Sequence, residues 1–266
     1  MKNDQNSPGT SPGEFLTYPG RCLIPKACLV SEEAPECESL LCGIFGEGFR
    51  IFRVPEDRQI PYPVRCHPDM IFTVIGDALV VPSAYYGDHP DLIDEISART
   101  GKEIILSRDM REAVYPCDTG LNTAVGDGFI IMRKSSCSPA VTELAVKLGM
   151  RVIDVNQGYA GCSCIVADSL VITSDPGIYS ALTSASIRAE YVDNEGIRLP
   201  GYDRGFIGGA GGYACGRLFL FGSCGSFSGG AKLTQICRHE GITIAEIPCP
   251  GSGDVITDFG GLKFIY

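Results

Sequence analysis

Two segments of the sequence each place an aspartate ahead of a small Gly-Asp turn that joins two apolar stretches. Asp69 lies in HPDMIFTVIGDALVVP, and Asp118 lies with Asn122 in YPCDTGLNTAVGDGFII. A carboxylate attracts a neighbouring cation, and a nearby imidazole such as that of His67 can transfer protons. Loop aspartates also commonly cap turns, but the repeated placement of these two favours a shared role. The pattern therefore predicts a small acidic site for a cationic ligand, with Asn122 beside it.

Thiols are a second source of chemistry. The sequence has 13 cysteines, and no CxxC pair occurs among them, so neither a disulfide framework nor a common zinc spacing is indicated. Cys162 and Cys164 alternate within GYAGCSCIVAD and are predicted to share one face of a strand, either as buried apolar side chains or as reactive thiols. Since no third Cys or His lies at ligand spacing, no metal or other cofactor is expected.

Glycine-rich loops lie in the C-terminal third of the chain. GGAGG and GSCGSFSGG match neither the Lys-Ser/Thr ending of a phosphate-binding loop nor the GxGxxG fingerprint, so their glycines are predicted to let backbone segments approach closely. PGSGD places Ser252 and Asp254 at the start of a predicted final hairpin, where we expect them to bind the ligand. Of the three histidines, His89 and His239 are expected to face solvent, which leaves His67 as the candidate proton carrier.

Composition restricts the class of partner. The net charge is -10 and no basic cluster offsets it, so nucleic acid is not an expected partner. No apolar run is long enough for a membrane helix, and the N-terminus has neither a basic head nor an apolar core, so a cytoplasmic protein is predicted. Residues 1–20 are rich in Gly, Pro, Ser and Asn and are predicted to form a flexible arm, with residues 21–266 as a single domain.

The candidate residues lie within a repeated order of elements: strand, turn, strand, helix, strand. In the clearest copy, Ser138 is predicted to cap a helix that Pro139 opens and Gly149 ends. The spacing of the copies is in the range of repeats that build arrays or closed propellers. The four successive copies have their turns at Asp77, Asp127, Asp168 and residues 214–216.

A fifth copy is predicted to be divided between the two chain ends. DVITDFGGLKFIY is predicted to form a hairpin with its turn at Gly260-Gly261, while the N-terminal region supplies a helix in APECESLLCGIFGEG and the strand FRIFRV. Joining the ends would pair the exposed edges of the first and last units. The predicted fold class is therefore α/β: a five-bladed pseudosymmetric propeller of ββαβ units, closed by N- and C-terminal segments that share one unit.

Five units of this kind resemble the pentein superfamily, α/β-propeller proteins that include guanidino-modifying enzymes such as arginine and agmatine deiminases. The resemblance covers residues 21–266 and suggests a bacterial branch. It is most specific in HPDMIFTVIGDALVVP, where it implies that Asp69 binds a guanidinium group, and the second segment gives Asp118 a similar role.

The resemblance also implies which catalytic groups to look for. In the family a Cys of the last hairpin attacks the guanidinium carbon, and a His shuttles protons. GSGDVITDFGG resembles the hairpin strand but has Asp258 at the position of the Cys, and GYAGCSCIVAD resembles the strand that carries the His but contains no imidazole. Standard Cys-His deiminase chemistry is therefore not expected.

Three hypotheses for function follow. The first is a binding protein for a small cationic, guanidino- or amino-acid-like ligand in an axial acidic cleft formed by Asp69, Asp118, Asn122, Ser252, Asp254 and Asp258. The second is a hydrolase, deiminase or amidinotransferase of guanidino compounds, in which Cys162, Cys164 or Cys249 is a displaced nucleophile and His67 is the base. The third is a noncatalytic interaction module with no closed cleft and a protein partner that the sequence does not identify.

Overall fold

Five small three-stranded sheets form the framework of the protein. The computed structural model describes residues 23–108 and 112–266, so the arm predicted for residues 1–20 lies outside the described residues. In the described part the mixed α/β architecture contains 15 strands and eight α-helices. None of these helices has the length and apolar character that crossing a bilayer would require.

The strands and helices alternate along the chain. The strands are β1 Ala27–Ser31, β2 Arg50–Val54, β3 Thr73–Ile75, β4 Ala78–Pro82, β5 Glu103–Ser107, β6 Ala124–Gly126, β7 Phe129–Met132, β8 Arg151–Asp154, β9 Cys164–Ala167, β10 Leu170–Thr173, β11 Ala189–Tyr191, β12 Gly211–Ala214, β13 Arg217–Phe221, β14 Thr243–Ile247 and β15 Lys263–Ile265. The helices are α1 Glu38–Phe45, α2 Pro68–Ile71, α3 Ser83–Asp88, α4 Pro90–Thr100, α5 Pro139–Lys147, α6 Ala160–Ser163, α7 Pro176–Ser184 and α8 Gly230–Glu240.

Each sheet has the same internal pairing. In the sheet β3-β4-β5 the middle strand pairs antiparallel with β3 and parallel with β5. The sheets β6-β7-β8, β9-β10-β11 and β12-β13-β14 repeat this arrangement. A tight turn can join two antiparallel strands, whereas a parallel third strand needs a crossover, which the helix of the unit supplies. The predicted order of strand, turn, strand, helix and strand is confirmed in these four units.

The local sequence explains how the units begin and end. Ser138 caps α5 by accepting a hydrogen bond from the backbone N–H of Ala140, Pro139 is the first helical residue, and Gly149 follows the helix with a φ of 66°. The turns that join the first two strands of three units contain Gly76, Gly128 and Asp168, all with positive φ. Such turns match the twist of the strands they join, as predicted for these Gly-Asp positions.

The fifth unit combines both ends of the chain, but not in the predicted way. The C-terminal hairpin predicted at Gly260-Gly261 is wrong, because these two residues lead into β15, which pairs antiparallel with β1. The strand β1 pairs in parallel with β2 and completes the sheet β15-β1-β2. The sequence ACLVS of β1 is buried throughout, and such a short apolar run carries no alternation by which a strand can be recognised.

Helices link successive units through five apolar clusters. Ile93 and Ile96 of α4 pack with Phe52 and Val54 of the preceding sheet. In the same way α5 packs on the sheet of β3 and β4, α7 on that of β7 and β8, α8 on that of β9 and β10, and α1 on that of β13 and β14. Each unit therefore buries its helix against its predecessor, and the core is divided into five interfaces instead of forming one continuous layer.

The first strands of successive units also contact one another. The strand β6 lies against β9, β9 against β12, and β12 against β15. Because the segments that lead into these strands occupy equivalent positions in their units, side chains carried by those segments converge on a common region of the molecule.

Candidate functional site

A buried polar cluster forms where these leading segments meet. It consists of His67, Asp69, Asn122, Cys162 and Asp258, all of which are less than 9% exposed. His67 and Asp69 lie at the start of α2, Cys162 lies in α6, Asn122 precedes β6, and Asp258 precedes β15. The structure thus brings together five of the ten residues predicted for the site.

His67 faces the two carboxylates. Its Nδ1 lies 3.7 Å from Oδ1 of Asp258 and 4.0 Å from Oδ1 of Asp69. Both distances exceed that of a hydrogen bond. His67 is the N-cap of α2, so it lies ahead of the strand β3 and outside any strand. Burial lowers the pKa of His67 to about 3, so the imidazole is neutral at physiological pH.

Asn122 holds the cluster together. Its Oδ1 accepts hydrogen bonds from the backbone N–H groups of Gly161, at 2.6 Å, and Cys162, at 3.1 Å. Its Nδ2 donates to the backbone oxygen of Asp69, at 3.1 Å, and lies 3.0 Å from Sγ of Cys162. Asn122 therefore positions α6 against α2, and both ends of its amide are engaged by the protein itself.

The two carboxylates of the cluster have different surroundings. Asp258 accepts hydrogen bonds from the backbone N–H groups of Phe206, at 2.9 Å, and Gly260, at 3.0 Å. Burial and the charge of Asp69 nevertheless raise the pKa of Asp258 to about 7. Burial also raises the pKa of Asp69, and the neighbouring Cys162 thiol and the ammonium group of Lys263 oppose this increase.

Asp69 has the more unusual environment of the two. Its side chain is 5% exposed, yet no N–H or O–H group of the described residues donates a hydrogen bond to either carboxylate oxygen. A buried carboxylate normally has such donors, because leaving it without them costs free energy. Asp69 is therefore the member of the cluster that is equipped to receive a donor from outside the chain.

The two predicted thiols do not share a strand face. Cys162 lies in α6 and packs with the cluster around α2 and α4, whereas Cys164 is the first residue of β9 and packs with β7 and α7. The prediction failed because a helical turn ends between them. Burial raises the pKa of Cys162 well above its usual value and that of Cys164 to about 12, so both are protonated thiols at neutral pH.

Asp118 lies in an aromatic environment. It is fully buried, and its Oδ2 accepts a hydrogen bond of 2.8 Å from the phenol of Tyr159. The Tyr159 ring packs against the rings of Tyr115 and Phe206, with centroid distances of 5.3 Å and 6.2 Å. This carboxylate already has a donor from the protein, in contrast to Asp69.

Ser252 and Asp254 lie away from the cluster. Ser252 belongs to a 3-10 turn, Pro250–Ser252, and Asp254 is exposed with a φ of 60°. The carboxylate of Asp254 accepts the backbone N–H of Cys249 at 3.0 Å and so closes a local turn. The structure does not bring these two residues to the other candidates, because the final hairpin on which their placement depended does not form.

A pocket with glycine-rich walls reaches the cluster. Its cavity volume is about 560 Å³, and Asp69 is the cluster member that lines it. Seven glycines form much of the wall: Gly126, Gly161, Gly208, Gly211, Gly212, Gly260 and Gly261. A side-chain carbon at Gly208 would lie 2.4 Å from the backbone oxygen of Cys164, which agrees with the prediction that the GGAGG glycines permit close backbone approach.

Lys263 is a site residue that sequence reasoning missed. It is the first residue of β15, it lines the glycine-walled pocket, and its charge interacts with Asp69 and Cys162. The sequence feature that could have identified Lys263 is its position in the apolar segment LKFIY. A lone lysine in a strand is commonly solvated, however, so this feature did not indicate a site. Among the described residues no group of three or more His, Cys, Asp or Glu side chains could hold a metal ion.

Comparison with solved structures shows the fold. The chain superimposes on DDAH from Pseudomonas aeruginosa, a mutant complexed with citrulline, with a TM-score of 0.52 and 9% identity over 88% of this chain and 96% of that chain. For a dimethylarginine dimethylaminohydrolase variant, an adduct with S-methyl-L-thiocitrulline, the TM-score is 0.54 and the sequence identity is 10%, over 89% of this chain and 98% of that chain. For agmatine deiminase from C. jejuni the TM-score is 0.47 and the sequence identity is 8%, over 95% of this chain and 99% of that chain.

The two DDAH structures have a pentein fold, so they confirm the similarity of fold that was inferred from the sequence. No curated protein sequence matches the chain. One family profile matches residues 32–262, which is most of the chain, and its description is a family of unknown function, DUF6873. The chain therefore belongs to the family DUF6873 and has a fold similar to that of the pentein guanidino-modifying enzymes.

Proposed function

We propose that the protein binds a small cationic ligand, guanidino- or amino-acid-like, in the glycine-walled pocket and holds its cation on Asp69. The observation that carries this proposal is the Asp69 carboxylate, which is buried, lines a cavity of about 560 Å³ and receives no N–H or O–H hydrogen bond from the described residues. That volume lies within the range of roughly 300–1,000 Å³ common for small-molecule sites.

A guanidinium or ammonium group would supply what Asp69 lacks. Charge-assisted hydrogen bonds to a carboxylate are stronger than neutral ones, and a guanidinium can donate two of them in parallel. The ligand would also favour the ionised form of Asp69, whose pKa burial now raises. The citrulline and S-methyl-L-thiocitrulline carried by the DDAH structures are ligands of the same size class.

The closed five-bladed propeller is part of this proposal. The five apolar clusters connect each unit to its predecessor, and the sheet β15-β1-β2 joins the two ends of the chain. If the ring is closed, the leading segments of the five units surround one axis, and Asp69 lies at the inner end of a pocket along it. The single domain and the cytoplasmic location predicted from the sequence are also part of this proposal.

Standard deiminase chemistry is not part of the proposal. At the family's nucleophile position, Asp258 is a carboxylate with a pKa near 7 and not a thiol. The imidazole of His67 is neutral, and the described residues include no hydrogen bond between it and a cysteine. A nucleophile and a proton carrier in contact are the minimum that such chemistry requires.

The test of the binding proposal is the replacement Asp69→Asn. We expect arginine, agmatine or a polyamine at millimolar concentration to raise the melting temperature of the unaltered protein, and this increase to disappear in Asp69→Asn because the amide cannot neutralise a cation. Asp77→Asn is the matched control, since the Asp77 side chain is fully exposed in a turn. Equal stabilisation of both variants, or no stabilisation of the unaltered protein by any cation, would refute the role of Asp69.

The arrangement around Cys162 favours a second candidate function, a hydrolase or deiminase of C–N bonds. The thiol of Cys162 contacts Asp69, which could accept its proton, and Nδ2 of Asn122 lies 3.0 Å from the sulfur, where it would stabilise a thiolate. Attack of the sulfur on an amidine carbon would form a C–S bond and break the bond to the departing amine, which would receive the thiol proton through Asp69. Water would then hydrolyse the C–S adduct and restore the thiol. The raised pKa of Cys162 opposes this reaction in the free protein.

Thiol labelling separates the two candidates. At neutral pH we expect iodoacetamide to modify the exposed Cys42 and Cys117 and to leave the buried Cys162 and Cys164 unmodified, as measured by mass spectrometry of peptides from the folded protein. Cys42 and Cys117 serve as internal controls for reagent and time. Labelling of Cys162 as rapid as that of the exposed thiols would favour the hydrolase.

A further inference from the structure

The glycine-walled pocket has a cysteine at its opening, beside the N-terminal end of the described chain. Cys215 and Leu23 both line the pocket, and Leu23 is 66% exposed, so the two residues lie where the pocket meets solvent. The thiol of Cys215 donates a hydrogen bond of 3.4 Å to the backbone oxygen of Leu23. Because Cys215 is partly exposed, an oxidant dissolved in water can reach its sulfur.

Cys215 occupies an unusual position in a turn. It follows β12 with a φ of 50°, in the left-handed region that residues other than Gly, Asn and Asp adopt only at a cost. The equivalent turns of the three preceding units begin with Gly76, Asp127 and Asp168. Turn geometry therefore does not account for a cysteine at this position, and its thiol is the feature that needs an explanation.

A second cysteine directly precedes the residue that Cys215 contacts. Cys22 lies outside the described residues, but a peptide bond joins it to Leu23, whose carbonyl oxygen accepts the Cys215 thiol. Consecutive Cα atoms are about 3.8 Å apart, and the two Cα atoms of a disulfide are usually about 4.4–6.8 Å apart. The covalent chain therefore holds Cys22 within reach of Cys215 while β1, which begins at Ala27, keeps its pairing.

We propose that Cys22 and Cys215 form a redox-sensitive disulfide that ties the N-terminal chain to the opening of the pocket. With a peroxide as the oxidant, one thiolate attacks a peroxide oxygen and becomes a sulfenic acid, and water leaves. The other thiolate attacks that sulfur, the S–S bond forms, and a second water leaves. Two electrons pass from the two sulfurs to the peroxide. In a reducing compartment the pair remains as two thiols until an oxidant is present.

Peptide mapping tests this bond directly, because trypsin separates the two cysteines. Cleavage after lysine and arginine gives residues 22–26, which contain Cys22, and residues 205–217, which contain Cys215, each with a single cysteine. The reduced full chain is treated with equimolar hydrogen peroxide, alkylated with iodoacetamide and digested without reductant. We expect most molecules to give these two peptides as a cross-linked pair, and dithiothreitol to separate the pair again.

Two other partly exposed or exposed cysteines are internal controls for nonspecific oxidation. Cys117 and Cys137 are the single cysteines of the tryptic peptides 112–133 and 135–147, and both peptides should remain alkylated. In Cys22→Ser the sulfur of Cys215 loses its partner, so peroxide should leave it as a sulfenic acid that dimedone labels. Cys117→Ser is the matched variant and should form the same bond as the unaltered protein.

Three results would refute the disulfide. The first is recovery of residues 205–217 only as alkylated peptide after peroxide treatment. The second is pairing of Cys215 with Cys117 or Cys137 as often as with Cys22. The third is a cross-link present only in covalent dimers on a nonreducing gel, since the bond would then join two chains. None of these results bears on Asp69, whose proposed role is tested with cationic ligands.

Discussion

Replacing Gly260 with alanine is expected to lower the free energy of unfolding by about 3 kcal/mol or more. Gly260 has a φ of 78°, a conformation that an L-residue adopts only at a cost. An added side-chain carbon would also lie 2.4 Å from Cβ and 2.5 Å from Cα of His67. Since neither atom is the free end of a flexible side chain, the backbone at the start of α2 would have to move.

The consequence would extend to the whole polar cluster. The N–H of Gly260 donates to Asp258, and its carbonyl accepts the N–H of Asp69 at 3.3 Å. A shift at this residue therefore disturbs both carboxylates at once. We expect Gly260→Ala to lose ligand-induced stabilisation as well as intrinsic stability, measured by urea unfolding and by melting with and without arginine.

Gly101→Ala provides the matched control. Gly101 follows α4 with a φ of 77°, but no atom lies within 4 Å of the position of its missing side-chain carbon. It therefore reports the cost of the backbone conformation alone, about 1 kcal/mol. Equal destabilisation by the two substitutions would show that the contact of Gly260 with His67 contributes nothing.

Replacing Asp258 with asparagine is expected to change how stability depends on pH. The folded protein holds a proton on Asp258 up to a pH near 7, whereas an unfolded aspartate releases it near pH 4. Between these values the folded state binds more protons than the unfolded state, so the contribution of Asp258 to stability falls as the pH rises. The variant lacks this group, and its stability relative to the unaltered protein should rise by about 2–4 kcal/mol between pH 4 and pH 8.

His67 has the opposite effect on how stability depends on pH. Its folded pKa of about 3 is below that of an unfolded histidine, so the unfolded state takes up the proton first and stability is lost as the pH falls below about 6.5. In the unaltered protein the two effects partly cancel between about pH 4 and pH 6.5. In Asp258→Asn the loss of stability in acid should therefore be steeper.

Urea unfolding at pH 4.5, 6 and 8 measures both effects. The control is Asp77→Asn, which removes an exposed aspartate whose surface contact with Lys102, at 3.6 Å, contributes little to stability, so its free energy of unfolding should stay close to that of the unaltered protein. If the curves for Asp258→Asn and the unaltered protein stay parallel across this range, Asp258 is ionised in the folded protein. The raised pKa of Asp258 would then be wrong.

Local sequence signals determined the repeated unit. The cap of α5 by Ser138, its opening by Pro139 and its end at Gly149 are interactions between residues close in the chain, so they can be read without tertiary information. The Gly-Asp turns are local for the same reason. The strand β1 could not be read, because it is buried on both faces and pairs with β15 from the opposite end of the chain.

Some residues of the candidate site could likewise be predicted from the sequence, and others could not. The repeat identified Asp69 and Asn122 by their position ahead of a turn, alternation with Cys164 identified Cys162, and the family resemblance identified Asp258. The structure places these four residues together with His67. The resemblance also implied that the family's Cys and His are replaced. It placed Ser252 and Asp254 wrongly in this group, because their assignment depended on a hairpin that long-range pairing with β1 excludes.

Only the tertiary structure decided the electrostatics. Whether a carboxylate is ionised depends on its burial and on the donors and charges around it, and these come from segments far apart in the chain. Asp258 accepts two backbone N–H groups, while Asp69 accepts none and faces a pocket with Lys263. The sequence alone therefore predicted the fold and the candidate residues, and the three-dimensional packing decided that Asp69, unlike Asp258, receives no backbone N–H donor.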